Sequence, residues 1–206
     1  MNIVPLSVEI ISPDFDVVDE DDILKIIEVA GRTAYKSENR ITPSSASRFV
    51  KKIITLGHES VLEHVNVTVR FVCDRGVTHE LVRHRIAAYT QESTRYCDYG
   101  GGITVIRPLD LEDGSAYQEW YNAMLDAERH YMSLIDEFDK PPQLARHVLP
   151  ISVKTEIVTT MNIREWRHVV RIRTSKGAHP HIRKMMDDLL TQFMINIPKL
   201  FEDIER

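Results

Sequence analysis

Alternation of apolar and polar residues is the clearest pattern along the chain. Val4, Leu6, Val8 and Ile10 alternate with Pro5, Ser7 and Glu9, and Val65, Val67, Val69 and Phe71 alternate with Asn66, Thr68 and Arg70. A period of two sends successive side chains to opposite faces, so both segments are predicted as strands with one buried face. Pro5 lacks an amide donor, which favours an edge for the first strand. The second runs to about Cys73, where Asp74, Arg75 and Gly76 give a turn signal. Glu156 to Met161, rich in Ile, Val and Thr, reads as a third strand.

Helical spacing fills much of the remainder. Ile23, Ile26, Ile27 and Ala30 mark a helix over Asp22 to Ala30, and Thr42-Pro43 opens a second one with Ala46, Phe49, Val50 and Ile53 inward and Gly57 at its end. A short helix follows from Val77 to about Arg85. Ser115 and Gln118 stand at capping-box spacing before a long helix through Ala116, Trp120, Met124, Ala127, Tyr131 and Leu134. Pro141-Pro142 starts a short helix that Pro150 stops. Asn162 is placed to cap another, with Glu165 at the reciprocal position, and Pro180 opens the last long helix through Met185, Leu189 and Phe193. The elements interleave without a regular βαβ period and without an internal repeat. One mixed α/β domain over residues 1–206 is therefore expected rather than a doubly wound sheet.

Composition narrows the class. Hydrophobic residues make up 43% and charged residues 28%, a globular balance, and no run reaches the roughly 18 apolar residues of a membrane helix. The first sixteen residues lack the basic start and cleavage site of a signal peptide. Cys73 and Cys97 are the only cysteines, too few for a disulfide framework or a four-cysteine zinc site, so a cytoplasmic location is expected. The net charge of -5 hides a split, with six acids and no base over 14–22, and nine bases against Glu156 and Glu165 over 146–184. An anionic partner of the C-terminal half follows. Charge alone leaves a nucleic-acid polymer and a small nucleotide both open, and overall acidity favours the small ligand.

The densest polar cluster is Arg83-His84-Arg85, followed after seven intervening residues by Ser93 and then by Arg95-Tyr96. Two arginines two apart on a helix point to different sides, so they suit two ligands better than one phosphate. The bland alternative is a solvated helix end whose arginines answer the macrodipole. His58 and His64 can likewise be satisfied histidines, and Asn162 needs no ligand because it caps a helix. Cys73 closes a buried strand and reads as inert, and Ser93 has no defined basic partner, His84 being the one suspect. No grouping of histidines and carboxylates has trustworthy metal-ligand spacing, His179-Pro180-His181 included, and no metal is expected.

Arg-His-Arg, seven residues, then Ser resembles the signature of the flavin-dependent thymidylate synthases, the ThyX family. Upstream, the run from His58 to His64 is similar to the family's His-x-Ser/Thr-x-x-Glu-His stretch. Downstream, the run from Ala145 to Pro150 and the Asn162, Arg164, His168, Arg173 series match too, and Gly31 to Ser37 extends the resemblance toward the start. It implies a mixed sheet, central and largely antiparallel, with flanking helices. It also implies reductive methylation of dUMP to dTMP with FAD as cofactor, NADPH and methylenetetrahydrofolate as co-substrates, and no cysteine nucleophile. His58, Ser60, Glu63, Arg83, His84, Arg85, Ile86, Asn162, Arg164 and His168 are then expected around FAD. Gln91, Glu92, Ser93, Arg95, Arg146 and Arg173 are expected around dUMP, with Arg173 at the uracil and Ser93 and Arg95 beside it in catalysis. Glu80 departs from the family's usual glutamine, and a carboxylate there can accept but not donate. The resemblance further implies a homotetramer with sites shared between subunits, acting on dUMP and folate, with neither a nucleic-acid polymer nor a membrane as partner. Two rivals stay open, a flavin enzyme acting on another pyrimidine nucleotide and a nucleic-acid-binding module.

Overall fold

In the computed structural model, which describes residues 1–97 and 99–205, the alternating segments form strands as their period requires. β3 (Asn66–Asp74) buries Val67, Val69, Phe71 and Cys73, and β6 (Lys154–Asn162) buries Thr155, Ile157, Thr159 and Met161. The first predicted strand is two. β1 (Asn2–Val4) pairs in parallel with β5 (Thr104–Ile106), and β2 (Ser7–Ser12) stands at one edge of a four-stranded sheet of order β2-β3-β6-β4, where β4 is Ala88–Gln91. Pro5 falls between β1 and β2, where its missing amide would interrupt a ladder. β4 and β5 were not foreseen, because four and three residues are too short to show a period.

Several helix ends also differ from expectation. α1 (Glu20–Thr33) starts at the Asp19 cap, and α2 (Ser45–Thr55) starts three residues after Thr42, because Thr42 and Ser45 close a turn: the Thr42 amide donates to Ser45 Oγ at 2.9 Å. Asp74 does not begin a turn. Its carboxylate accepts the Val77 amide at 3.0 Å and caps α3 (Arg75–Leu81), so Arg75 and Gly76 are already helical. α3 stops at Leu81 rather than near Arg85, because the Tyr89 hydroxyl donates to the Leu81 carbonyl at 2.7 Å and takes the acceptor that the next turn would need. Arg83 and Arg85 therefore lie beyond the helix, and helix geometry does not set the directions of their side chains. The capping box ahead of α4 (Ser115–Asp136) is not formed either. Gly114, at a φ of 150° that favours glycine, is the cap residue, and Gln118 Nε2 donates to Asn122 at 3.0 Å. α5 (Pro142–Ala145) is short as expected. Asn162 does cap α6 (Ile163–Arg173), accepting the Glu165 amide at 2.9 Å, and α7 (Pro180–Asn196) buries Met185, Leu189 and Phe193.

The chain divides into two compact units. Residues 1–7, 71–83 and 89–158 form the first, and residues 8–70, 84–88 and 159–206 the second. Within the first, Ile103, Val105, Met124 and Val153 form a small core against which Trp120 and Leu149 pack. The second has the larger aromatic core: Trp166 meets Phe193 edge-on at 6.0 Å, Phe193 stacks on Phe201 at 4.3 Å, and the Trp166 indole donates to the Val67 carbonyl at 2.9 Å. That bond anchors α6 on β3 and so fixes the residues that α6 projects. Among the described residues no helix is long and apolar enough to cross a membrane.

Candidate functional site

In the second unit the residues of two separate motifs meet at His84. The Arg173 Nε donates to His84 Nε2 at 3.0 Å, so the imidazole accepts on that nitrogen and carries its proton on Nδ1, which lies 3.9 Å from Glu165 Oε1. His168 stands edge-on to the same ring at 6.2 Å between centroids. Asn162 sets this arrangement: by capping α6 it starts the helix where Glu165 and His168 project on one side, three residues apart, and Arg173 falls in the last turn. Burial first, and then the charges of Arg173 and His168, push the His84 pKa down to about 4, so the ring is neutral at physiological pH. Through Nε, Arg173 thus donates to a neutral acceptor.

His84, Glu165 and His168 also place one donor atom each within 4.8 Å of one another, the one such group among the described residues that could hold a metal. The chemistry opposes it. The nitrogen of His84 with a lone pair already faces a guanidinium, whose charge repels a cation, and the other nitrogen bears the proton. His179 and His181 have a structural role, His179 Nδ1 accepting the His181 amide at 3.3 Å at the start of α7.

Elsewhere in this unit, Glu63 accepts from Arg164 at 2.5 Å, with both side chains about half exposed. His58 and Ser60 line a cavity of about 1060 Å³ bounded by α1 and α2. Arg85 and Ile86 are exposed beside His84.

The first unit holds a different kind of cluster. The Glu92 carboxylate accepts from the Tyr99 hydroxyl at 2.7 Å and from Lys154 Nζ at 2.9 Å, and Lys154 also reaches Glu156 at 2.9 Å. Burial pulls the Lys154 ammonium down, but its hydrogen bonds to Glu92 and Glu156 outweigh that and hold its pKa above the ordinary range. Burial and the bond to Glu92 raise the Tyr99 hydroxyl. The Gln91 amide donates to Thr78 and Thr155 at 3.1 and 3.2 Å, and Arg146 donates to Thr94 at 3.2 Å. Ser93 Oγ accepts the Arg95 amide at 3.3 Å, and the Arg95 guanidinium lies 5.3 Å from the centre of the Tyr96 ring. Arg83 is exposed, and Glu80 is half-buried at the penultimate position of α3. Burial, reinforced by Asp74, pushes the Cys73 thiol up to about 12, which fits an inert cysteine.

The basic run over 146–184 does not form a uniform cationic face. Arg167 is buried and donates to Asp203 and the Leu200 carbonyl, Arg171 lies 3.8 Å from Asp203, and Lys184 pairs with Asp188 at 2.6 Å. Charges compensated in this way leave little for a polymer backbone. Sequence patterns do not reveal Lys154, Tyr99, Thr78 or Thr155, because each takes its place through a side-chain contact with a residue outside its own element.

Comparison with known proteins accords with this architecture. A family model described as thymidylate synthase complementing protein matches residues 16–199. The flavin-dependent thymidylate synthase of Mycolicibacterium gilvum is 33% identical over 98% of this chain and 91% of that protein, and the one from Mycobacterium avium is 35% identical over the same shares. Among solved structures, the UMP/dUMP methylase PolB of Streptomyces cacaoi, bound with 5-Br dUMP, aligns with a TM-score of 0.80 at 20% identity, covering 98% of this chain and 96% of that one. ThyX of Helicobacter pylori with FAD and dUMP aligns at 0.77 and 22% identity, covering 97% and 98%. At such identities the structural likeness speaks for the shared mixed α/β fold.

Proposed function

The chain belongs to the flavin-dependent thymidylate synthase family, and on that premise we propose that it methylates dUMP to dTMP with FAD, NADPH and methylenetetrahydrofolate. The observation that carries the reading is the 3.0 Å bond between Arg173 and His84, which unites two motifs 89 residues apart around a neutral imidazole.

The donor set fits a flavin. His84 and His168 offer imidazole rings, and Arg83, Arg85 and Arg164 offer guanidiniums, which suit the negative charge of a reduced isoalloxazine. His58, Ser60, Glu63, Arg83, Arg85, Ile86, Asn162 and Arg164 complete the proposed FAD site. Glu63 and Arg164 enter it as a pair, and Asn162 acts from its capping position. When bound, FAD supplies the redox chemistry that links nicotinamide oxidation to reduction of the transferred carbon.

Arg173 is the proposed uracil partner: a guanidinium beside a ring carbonyl stabilises the charge that develops there as C5 becomes nucleophilic. His84 positions Arg173 by accepting its Nε–H. Ser93, Arg95 and Arg146 are the proposed phosphate partners, through a hydroxyl and two guanidiniums. Glu92 and Gln91 are proposed to shape the nucleotide side through the network with Tyr99, Lys154, Thr78 and Thr155. Glu80 is proposed at the same nucleotide as an acceptor. A cytoplasmic homotetramer with shared sites, the whole chain working as one domain, belongs to the same proposal. It is supported by the motif resemblance, the match over residues 16–199 and the two free cysteines.

The test is direct. Protein reconstituted with FAD should oxidise NADPH in a dUMP-dependent way and, with methylenetetrahydrofolate, form a product of the mass of dTMP. A protein that holds FAD yet shows neither result overturns the proposal.

A further inference from the structure

The cavity between α1 and α2 carries charge that no motif accounts for. Four cations line it, Arg32, Arg40, Arg48 and Lys52, and no carboxylate is among the residues that do. Arg32 is built in. Its Nε and Nη2 donate to Glu28 Oε1 at 3.1 and 2.8 Å, and its guanidinium lies 4.6 Å from the centre of the Phe49 ring. Glu28 is 1% exposed and is itself held by Ser45 Oγ at 2.7 Å, so the whole wall is fixed from below. Gly31 permits it: a Cβ there would come within 2.6 Å of the Phe49 ring. Glu28 neutralises Arg32, but among the described residues no carboxylate pairs with Arg40, Arg48 or Lys52. Elsewhere in this unit Lys25, Arg70, Arg164, Arg167 and Lys184 each have such a partner.

Three uncompensated cations around one cavity ask for a ligand with more than a diphosphate's charge. A phosphate monoester alone carries about -1.5 to -2 at neutral pH, and of the dinucleotides this reaction uses, NADPH adds one to its diphosphate whereas FAD and NADH do not. His58 and Ser60, proposed to face the flavin, line the same cavity, so a dinucleotide held there lies beside its redox partner. We propose that this cavity binds the phosphates of NADPH, with Arg40, Arg48 and Lys52 as ionic partners of the 2′-phosphate and diphosphate and Arg32, oriented by Glu28, as a fixed donor. The assignment rests on the proposed enzymatic reaction and makes the enzyme selective for NADPH over NADH.

The experiment measures binding of adenosine 2′,5′-bisphosphate and of 5′-AMP by calorimetry to the FAD-loaded protein, its Arg48→Ala and Arg48→Lys variants and an Arg40→Ala/Lys52→Ala double variant. Arg40, Arg48 and Lys52 are exposed, so the fold tolerates their loss, and thermal melting checks it. The bisphosphate should bind wild type more tightly than 5′-AMP does. Arg48→Ala should weaken it about tenfold, Arg48→Lys by less, and the double variant by more, with 5′-AMP weakened by a smaller factor in each case because it lacks the 2′-phosphate. In turnover, KM for NADPH should rise by a similar factor while FAD absorbance is retained. Equal binding of the two probes overturns the proposal. So does loss of FAD from the variants, which gives the cavity to the flavin, or a rise in KM for folate alone, which gives it to the folate's carboxylates. Absence of dTMP formation in wild type is a separate result that removes the enzymatic reading, whatever the probes do.

Discussion

The two units treat charge in opposite ways. In the first, Glu92, Lys154, Glu156 and Tyr99 satisfy one another, so a carboxylate that sequence motifs mark for substrate is already engaged by protein partners. In the second, Arg173 meets a neutral histidine and three cations border a cavity without carboxylates. A closed ion network fixes geometry, whereas cations around a cavity without carboxylates keep their field for a ligand. Residues from one motif family can therefore do different work, and mutation separates them.

The largest expected effect follows from Arg173. Arg173→Ala should lower the rate of dTMP formation by about 10² to 10³, the usual scale for removing one preorganised donor at a site of developing charge. FAD should stay bound, read from its absorbance after gel filtration. Loss of flavin with dUMP affinity intact would reverse the division of roles between Arg173 and the Arg83 to Ile86 segment.

Lys154 tests the other side of the comparison. Lys154→Met leaves Glu92 and Glu156 without their shared cation, and the Lys154 and Glu92 side chains are only 19% and 16% exposed. Urea unfolding should show a loss of about 1–3 kcal/mol, below the cost of breaking a fully buried pair because water still reaches this one. An unchanged midpoint would mean that the network does not hold this part of the fold.

A smaller effect depends on pH. The folded-state pKa of His84 lies near 4, below the 6.5 of an exposed histidine, so the unfolded chain takes up this proton first as acid is added. The stability contributed by the neutral ring is present in full above pH 6.5 and is lost as pH falls toward 4. Arg173→Ala removes one cause of the depression and should move the His84 titration, followed by NMR, upward from about 4 without restoring 6.5, since burial is the larger cause. A titration near 6.5 in the wild type would mean that neither burial nor Arg173 acts on this ring.

Much of this was legible where one local rule decided the outcome. β3 shows its period, Asn162 caps α6 and Pro180 opens α7 as sequence spacing says. Reading failed where a distant partner overrode the local signal. The end of α3 depends on the Tyr89 hydroxyl, which captures the Leu81 carbonyl, and the start of α4 on a glycine conformation instead of the adjacent Ser115. The site shows the same split. Arginines and histidines stood out as motifs, but no local pattern ties Glu92 to Lys154, 62 residues away, or Ser45 to the buried Glu28. A strand signal could have found Thr155 as an inward residue, though not its bond to Gln91.

The smallest effect sharpens the comparison from within the second unit. Arg164 and Glu63 are 52% and 45% exposed, so their 2.5 Å contact, although shorter than that of Lys154 with Glu92, is formed in water and screened by salt. Arg164→Ala should cost less than about 1 kcal/mol in urea unfolding, where Lys154→Met costs more. Its consequence should appear in the ligand instead, as faster loss of FAD on dilution, because the guanidinium belongs to the proposed cofactor site. A large stability loss with flavin retention unchanged would make this pair a structural clasp like the one around Lys154, and distance rather than exposure would then set what an ion pair in this protein is worth.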